Sequence, residues 1–387
     1  MSQKPTSKTR SIFLSIHAGY VIAAYITISS DTVHIHRMIK KIFSTSDIIP
    51  LRDRMGQTLA SVLQELLVGI ALTPERIFCC LHSPWSILEQ TNEQTQKNTP
   101  FQITHDRIQE LIDRAKQRSV LSAKIKTGMR DPVMLDEYRF SISAGGIPVP
   151  KKYHNRKTQS LSLDFSVSIA DSTLTDLVRE IIGKEIAMPI SFIAPYNSVA
   201  RAYIANNDIH DALIIRPGEM ITNLFLIQGA RMRDYASVPY GMQKLASEMS
   251  DRTGIVLKEN DSHKIVEKIL LDGKYSTKTE SEGVINQSLS EWSFLLQKAF
   301  LNMNHQHILP ADFWLDTSPA IAKILIEKLD TVELRHFTSN FTKPTIDRLS
   351  DVPTYRRFQK SRDTDKISVS FADQAVMSEM TQRYEKN

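Results

Sequence analysis

The side chains best suited to chemistry in this chain are scattered rather than grouped. His34 and His36 alternate along one strand, so both rings face the same side, a spacing that can ligate a metal. No carboxylate or cysteine lies nearby to complete a set, and half-buried strand histidines are the plainer reading. No metal site is expected. His305 and His307, in NMNHQHIL, read as a helix end, where imidazoles are electrostatically favoured. Cys79 and Cys80 are the only two cysteines and are adjacent, which excludes a disulfide framework and a cysteine-only zinc site. They fit a reducing, cytoplasmic setting. Ser83, in LHSPW, is followed by proline and has no placed base, so it is not a nucleophile. No Gly-x-Ser-x-Gly elbow, Walker loop or His-Glu-x-x-His is present. The densest charge is the group Lys151, Lys152, Tyr153, Arg156 and Lys157. Such a basic, aromatic tip suits phosphate backbones, an anionic membrane or a protein partner, and a solvated hairpin end is the plainer reading.

The elements that would carry these residues follow from the hydrophobic pattern. Ile12 to Ile28 is a charge-free run behind a basic N-terminus, almost long enough to cross a membrane. Its β-branched residues and the Gly19-Tyr20 break favour a buried hairpin, with TVHIHRMI as a third strand. An amphipathic helix then presents Leu59, Val62, Leu63, Leu66 and Leu67 on one face. ERIFCCLHSPWSIL is a strand, and NEQTQKNTP reads as a polar loop. Thr104 caps the helix DRIQELIDRAKQ, and the alternating runs EYRFSIS and SLSLDFSVSI flank an exposed turn. Further on, DALIIRP and NLFLIQG form a second hairpin around Gly218-Glu219. Beyond Lys343 the chain turns polar and is expected to be loosely held. Hairpins thus open both halves, without a readable sequence repeat.

With 387 residues, 48 basic against 43 acidic side chains and 41% apolar residues, the chain is of ordinary globular composition and long enough for two domains. A net charge of +5 is too small to mark a nucleic-acid binder.

The order and spacing of these segments resemble the bacterial actin-like proteins of the FtsA class and their relative PilM. IFLSIHAGYVIAAYI matches the first phosphate hairpin. ALIIRPGEMITNLFLIQGARMRDYASVPYGMQKLASEM matches the second hairpin and the Pro-x-Gly turn after it. The resemblance implies an α/β, two-half actin-like (ribonuclease-H-like) fold with a small α+β subdomain inserted in the first half. The implied divisions are 1–53 and 171–210 for the first half, 54–170 for the insertion, 211–342 for the second half and 343–387 for a flexible tail.

The family's nucleotide site maps onto Ser15 and His17 in the first turn, Arg216 and Gly218 in the second, and Thr317-Ser318 where an adenosine is normally admitted. Each position departs from the family pattern. Ser15 brings no charge to a metal, and His17 stands where backbone should approach phosphate closely. Arg216 reverses a charge, Pro217 removes an N–H, and side chains at 317 and 318 would crowd a purine. The resemblance therefore implies a non-catalytic scaffold, a pseudo-ATPase without Mg-ATP or any other cofactor. Its partners would be proteins of cell division or cell-envelope assembly, with self-association and indirect membrane contact. A PilM-like cytoplasmic adaptor of type IV pilus assembly is the alternative, because the family's second insertion is shortened around Tyr275 to Asn286. A divergent ATP-binding protein would need a cleft carboxylate, for which Asp208, Asp211 and Asp316 are the candidates.

Overall fold

The computed structural model describes residues 8–384, apart from 30–31, 44–49, 69, 71, 150–155, 208, 254–261, 272–277, 306, 339–340, 350–357 and 361–369. Lys151, Lys152 and Tyr153 of the basic tip, and Asp208, lie outside these residues.

The apolar N-terminal run forms two strands, β1 (Thr9–Ile16) and β2 (Tyr20–Ile28), rather than a membrane helix. No helix among the described residues is long and apolar enough to cross a membrane. There follow β3 (Val33–Ile42), α1 (Leu51–Leu67), β4 (Arg76–Leu81), β5 (Ser86–Gln102), α2 (His105–Thr127), β6 (Pro132–Ala144), β7 (Ile147–Pro148) and β8 (Lys157–Asp171). Next come α3 (Ser172–Glu185), β9 (Ile190–Ile193), α4 (Tyr196–Asn207), β10 (Ala212–Pro217), β11 (Thr222–Ile227) and β12 (Met232–Val238). The remainder comprises α5 (Met242–Thr253), α6 (Ser262–Leu271), α7 (Lys278–Asn304), β13 (Asp312–Leu315), α8 (Pro319–Asp330), β14 (Thr345–Arg348), β15 (Phe358–Lys360) and α9 (Phe371–Tyr384).

Two sheets share one topology. The first runs β15-β3-β2-β1-β4-β9 and the second β12-β11-β10-β13-β14. In each, three antiparallel strands are followed by two parallel ones: β1 pairs in parallel with β4 and β4 with β9, as β10 does with β13 and β13 with β14. The duplication that the sequence shows only as two hairpins therefore extends over five strands of each sheet, with β15 added in parallel at the edge of the first. Parallel strands need helical crossovers, and these cover the sheet faces. Met55, Leu59, Val62, Leu63 and Leu66 of α1 are fully buried with Ile12, Leu14 and Ile16 of β1. In the second half Trp292 of α7 is fully buried, and its Nε1 donates to Thr222 Oγ1 at 3.1 Å. Each such apolar side chain contributes about 1.5–3 kcal/mol.

The third sheet, β5-β8-β6-β7, carries α2 on one face over Leu161, Leu163, Phe165 and Val167. Thr104 caps α2 as expected, accepting from Arg107 N at 3.3 Å. Two boundaries differ from the sequence reading. The helix and strand read as the start of the insertion, α1 and β4, belong to the first sheet, because β4 is hydrogen-bonded between β1 and β9; the inserted unit begins at β5. The segment NEQTQKNTP is not a loop but the outer part of β5, paired with β8 from Asn92↔Asp164 to Gln96↔Ser160. Its side chains are polar on both faces, the half-buried Glu93 and Thr95 included, which erases the apolar–polar alternation that marks a half-buried strand.

The C-terminal region also departs from expectation. Its last helix, α9, is not a loose tail. Ala372, Ala375, Val376, Met377 and Met380 are all buried, against α4 and the first sheet. Similarly, α7 begins at Lys278, so much of the stretch read as lying outside helices is helical.

Candidate functional site

The carboxyl ends of the parallel strands meet across a cleft of about 470 Å³ between the two halves. In an open α/β sheet this is where side chains can converge on a ligand without disturbing the ladder. His17, Arg216, Gly218, Thr317 and Ser318 all line it, and Ser15 is buried beside His17. The structure thus gathers all six residues of the expected nucleotide site. Of the interaction candidates, the described Arg156 is exposed just before β8, away from the cleft lining.

At the first turn, the N–H of His17 donates to Tyr20 O at 3.0 Å, so this amide is consumed within the hairpin. The His17 ring stacks on Tyr20 at 4.0 Å and on His82 at 3.7 Å between centroids. His82 follows directly on β4, whose Cys80 is level with Ser15 of β1. The fourth member comes from α9: Asp373, which is fully buried. Ser15 Oγ donates to Asp373 Oδ1 and lies 2.9 Å from Nε2 of both His17 and His82. His17 Nε2 is 3.3 Å from Asp373 Oδ2, and His82 Nε2 is 3.1 Å from Oδ1. Ser370, one turn before, donates to Asp373 Oδ2 at 2.6 Å and accepts from Asp373 N, fixing the carboxylate at the start of α9.

Burial, and next the His82 ring, push the His17 imidazole down to about 3 against the pull of Asp373. Burial alone would raise Asp373, but charge and hydrogen bonds from His17 and His82 outweigh it and hold the carboxyl well below its usual range. At neutral pH the cluster is therefore a carboxylate facing a neutral His17.

The second turn is built differently. Arg216 is the last residue but one of β10, and Asp316 follows directly on β13, with Nε and Oδ2 3.5 Å apart. The Tyr203 phenol donates to the same Asp316 oxygen, and burial followed by the Asp316 charge raises its pKa well above the ordinary value. One amide of the turn is used internally: Gly218 N donates to Ile221 O at 2.9 Å. Its carbonyls, not its amides, face the next helix, where Met242 N donates to Gly218 O at 2.8 Å and Gln243 N to Glu219 O at 2.9 Å. Gly241 allows this approach, since a Cβ there would lie 2.4 Å from Glu219 O. At Thr317 and Ser318 the hydroxyls find no hydrogen-bond partner among the described residues, and the cleft stays open beside them rather than filled. Asp211, another carboxylate considered from sequence, accepts from Gly229 N at 3.0 Å at the start of β10, far from the strand's carboxyl end.

Sequence reading missed His82 and Asp373. His82 carried a weak signal, being a polar residue ending a strand predicted to be buried. Asp373 carried none, because its neighbours in the cleft are 291 to 358 residues away in the chain. His34 and His36 are near each other, 4.5 Å between centroids, but His36 Nε2 is engaged with Thr27 Oγ1 at 2.8 Å. Cys79 and Cys80 are both buried, on opposite faces of the first sheet, and burial raises both thiols.

No protein-family model and no curated protein matches this chain. Among solved structures, one described as the PilM-PilN type IV pilus biogenesis complex aligns over 96% of this chain and 98% of that one, with TM-score 0.62 at 12% identity. A Bacteroides thetaiotaomicron protein described as having an actin-like ATPase fold and unknown function covers 96% of both chains, with TM-score 0.43 at 8% identity. The strand order, the cleft and the likeness to the PilM-PilN structure agree: the chain has the actin-like fold, with one α+β unit inserted in its first half.

Proposed function

We propose that this chain is an actin-like adaptor that binds proteins and does not turn over ATP, acting in pilus assembly in the manner of PilM. The observation that carries the reading is the extent of the likeness to the PilM-PilN structure. At 96% of this chain it includes the inserted unit as well as both halves. The partner would be a PilN-type component, whose cytoplasmic segment the adaptor holds at the inner face of the membrane.

The non-catalytic part rests on the turns. A phosphate hairpin works by leaving backbone N–H groups free to face the anion. Here the amides of His17 and Gly218 are consumed within their own turns, and Pro217 has none. The first-turn carboxylate expected of an actin-like ATPase is replaced by Ser15, and Asp373 is tied to two imidazoles and two hydroxyls. Asp316, the one sequence-nominated carboxylate placed in the cleft among the described residues, is neutralised by Arg216.

The test is a binding titration of the purified chain with the cytoplasmic segment of a PilN-type protein, alongside a phosphate-release assay. Saturable binding that ATP does not alter, with release no faster than in buffer, is the expected result. Turnover of ATP would overturn the non-catalytic part. Binding to a division protein instead, with none to pilus components, would move the reading to an FtsA-like scaffold.

A further inference from the structure

The cluster at the first turn has an arrangement that neither a nucleotide site nor a proton relay requires. In a Ser-His-Asp relay the imidazole bridges, with one ring nitrogen toward serine and the other toward the carboxylate. Here the same nitrogen, Nε2, of each ring faces both Ser15 and Asp373. The donor atoms therefore converge on a common point instead of forming a chain. Convergence of two imidazoles and one carboxylate is the donor set of a borderline divalent metal.

We propose that His17 Nε2, His82 Nε2 and Asp373 bind a zinc-type divalent cation at the floor of the cleft. The spacing fits. In a tetrahedral site with metal–ligand bonds near 2.0–2.1 Å, neighbouring donors lie about 3.3 Å apart. The two histidine-to-carboxylate separations are 3.3 and 3.1 Å, and all three donor atoms lie within 4.8 Å of one another. Orientation is built in by neighbours that do not themselves ligate. Ser370 holds the carboxylate, and Trp85 Nε1 donates to His17 O at 2.8 Å, fixing the turn that carries the ring. The Ser15 hydroxyl, 2.9 Å from both Nε2 atoms, gives up those two contacts when the ion enters. His17 and His82 both line the cleft, so the remaining coordination position opens toward it. Imidazole ligands select against Mg²⁺, which takes oxygen donors, so this site is distinct from a nucleotide-bound Mg²⁺.

The experiment is competitive titration of the chelator-stripped full chain with Zn²⁺, repeated with Co²⁺ for its visible spectrum. Three variants accompany it: Asp373→Asn, His82→Gln and the control His36→Gln. One equivalent of Zn²⁺ should bind to the wild type and to His36→Gln. Asp373→Asn and His82→Gln should each weaken binding by about 100-fold or more, the upper range seen even for orienting residues. No zinc retained by the wild type would overturn the proposal, leaving a hydrogen-bonded carboxylate and nothing more. Equal affinity in Asp373→Asn and His82→Gln would overturn it too, by placing the ion elsewhere. Should those variants fail to fold, X-ray absorption of the zinc-loaded wild type decides: scattering from two imidazoles supports the site, and none contradicts it.

Discussion

The end of β1 and the end of β10 occupy equivalent places in two sheets of the same strand order, yet they are equipped in opposite ways. At the first, Ser15 and His17 meet His82 from the neighbouring parallel strand and a buried anion from the last helix, 356 residues beyond His17. At the second, Arg216 meets Asp316 from the neighbouring parallel strand, and both remain partly exposed, at 18% and 21%. One end is more deeply buried, stacked and imidazole-rich; the other is a more exposed cation–carboxylate pair. Duplicated topology thus decides where strand ends converge, and leaves the chemistry at each end to individual side chains. What the two ends share is the use of turn amides inside the turn.

The sharpest way to break this comparison is at the turn glycines. A Cβ at Gly241 would meet backbone of the second hairpin at 2.4 Å, whereas at Gly19 the nearest atom is the flexible Glu219 Cγ at 3.9 Å. Gly241→Val should cost about 4 kcal/mol or prevent folding, because backbone must move. Gly19→Ala should cost less than about 1 kcal/mol. Urea unfolding midpoints compare them, and equal losses would mean that the second turn does not depend on close approach.

Next in size are the two carboxylates. Asp373→Ala leaves buried polar partners unpaired and should cost about 3 kcal/mol in metal-free protein. Asp316→Ala, at a partly solvated pair, should cost about 1 kcal/mol. Denaturant titration of both variants would reverse the ranking if the first end were the more open one.

A pH profile separates the ends further. His17 has a folded pKa of about 3 against 6.5 for the free side chain. As pH falls below 6.5 the unfolded chain takes up a proton that the folded chain refuses, so stability is full above that value and declines with acid. Between pH 6.5 and 5 the loss should approach about 2 kcal/mol. Asp373 acts in the same direction at lower pH. His17→Gln should flatten the pH 5–6.5 slope, and Arg216→Gln should leave it in place; melting temperatures across the range check this. The smallest effect is expected at Tyr203→Phe, where losing the hydrogen bond to Asp316 should cost about 1 kcal/mol or less.

The parts of the molecule that could be read from sequence are those whose signal is local. Charge-free, β-branched runs on either side of Gly19 announce β1 and β2, the Leu59–Leu66 stripe announces α1, and turn chemistry at Gly218 announces the second hairpin. Their order was enough to align both phosphate turns and to nominate Ser15, His17, Arg216, Gly218, Thr317 and Ser318, which the fold then places at one cleft. The illegible parts depend on distant partners. The outer β5 is a strand only because β8 pairs with it. The helix α9 is enclosed on nearly every side, so it shows no apolar stripe to distinguish it from a polar tail. Asp373 inherits that obscurity, and with it the half of the cleft that is chemically distinctive.

The proposal that both phosphate turns have given up anion binding stands or falls on calorimetric titration of the purified, metal-free chain with Mg-ATP. No measurable heat of binding is predicted. One-to-one binding in the micromolar range would contradict it, and would mean that Arg216 serves phosphate instead of Asp316.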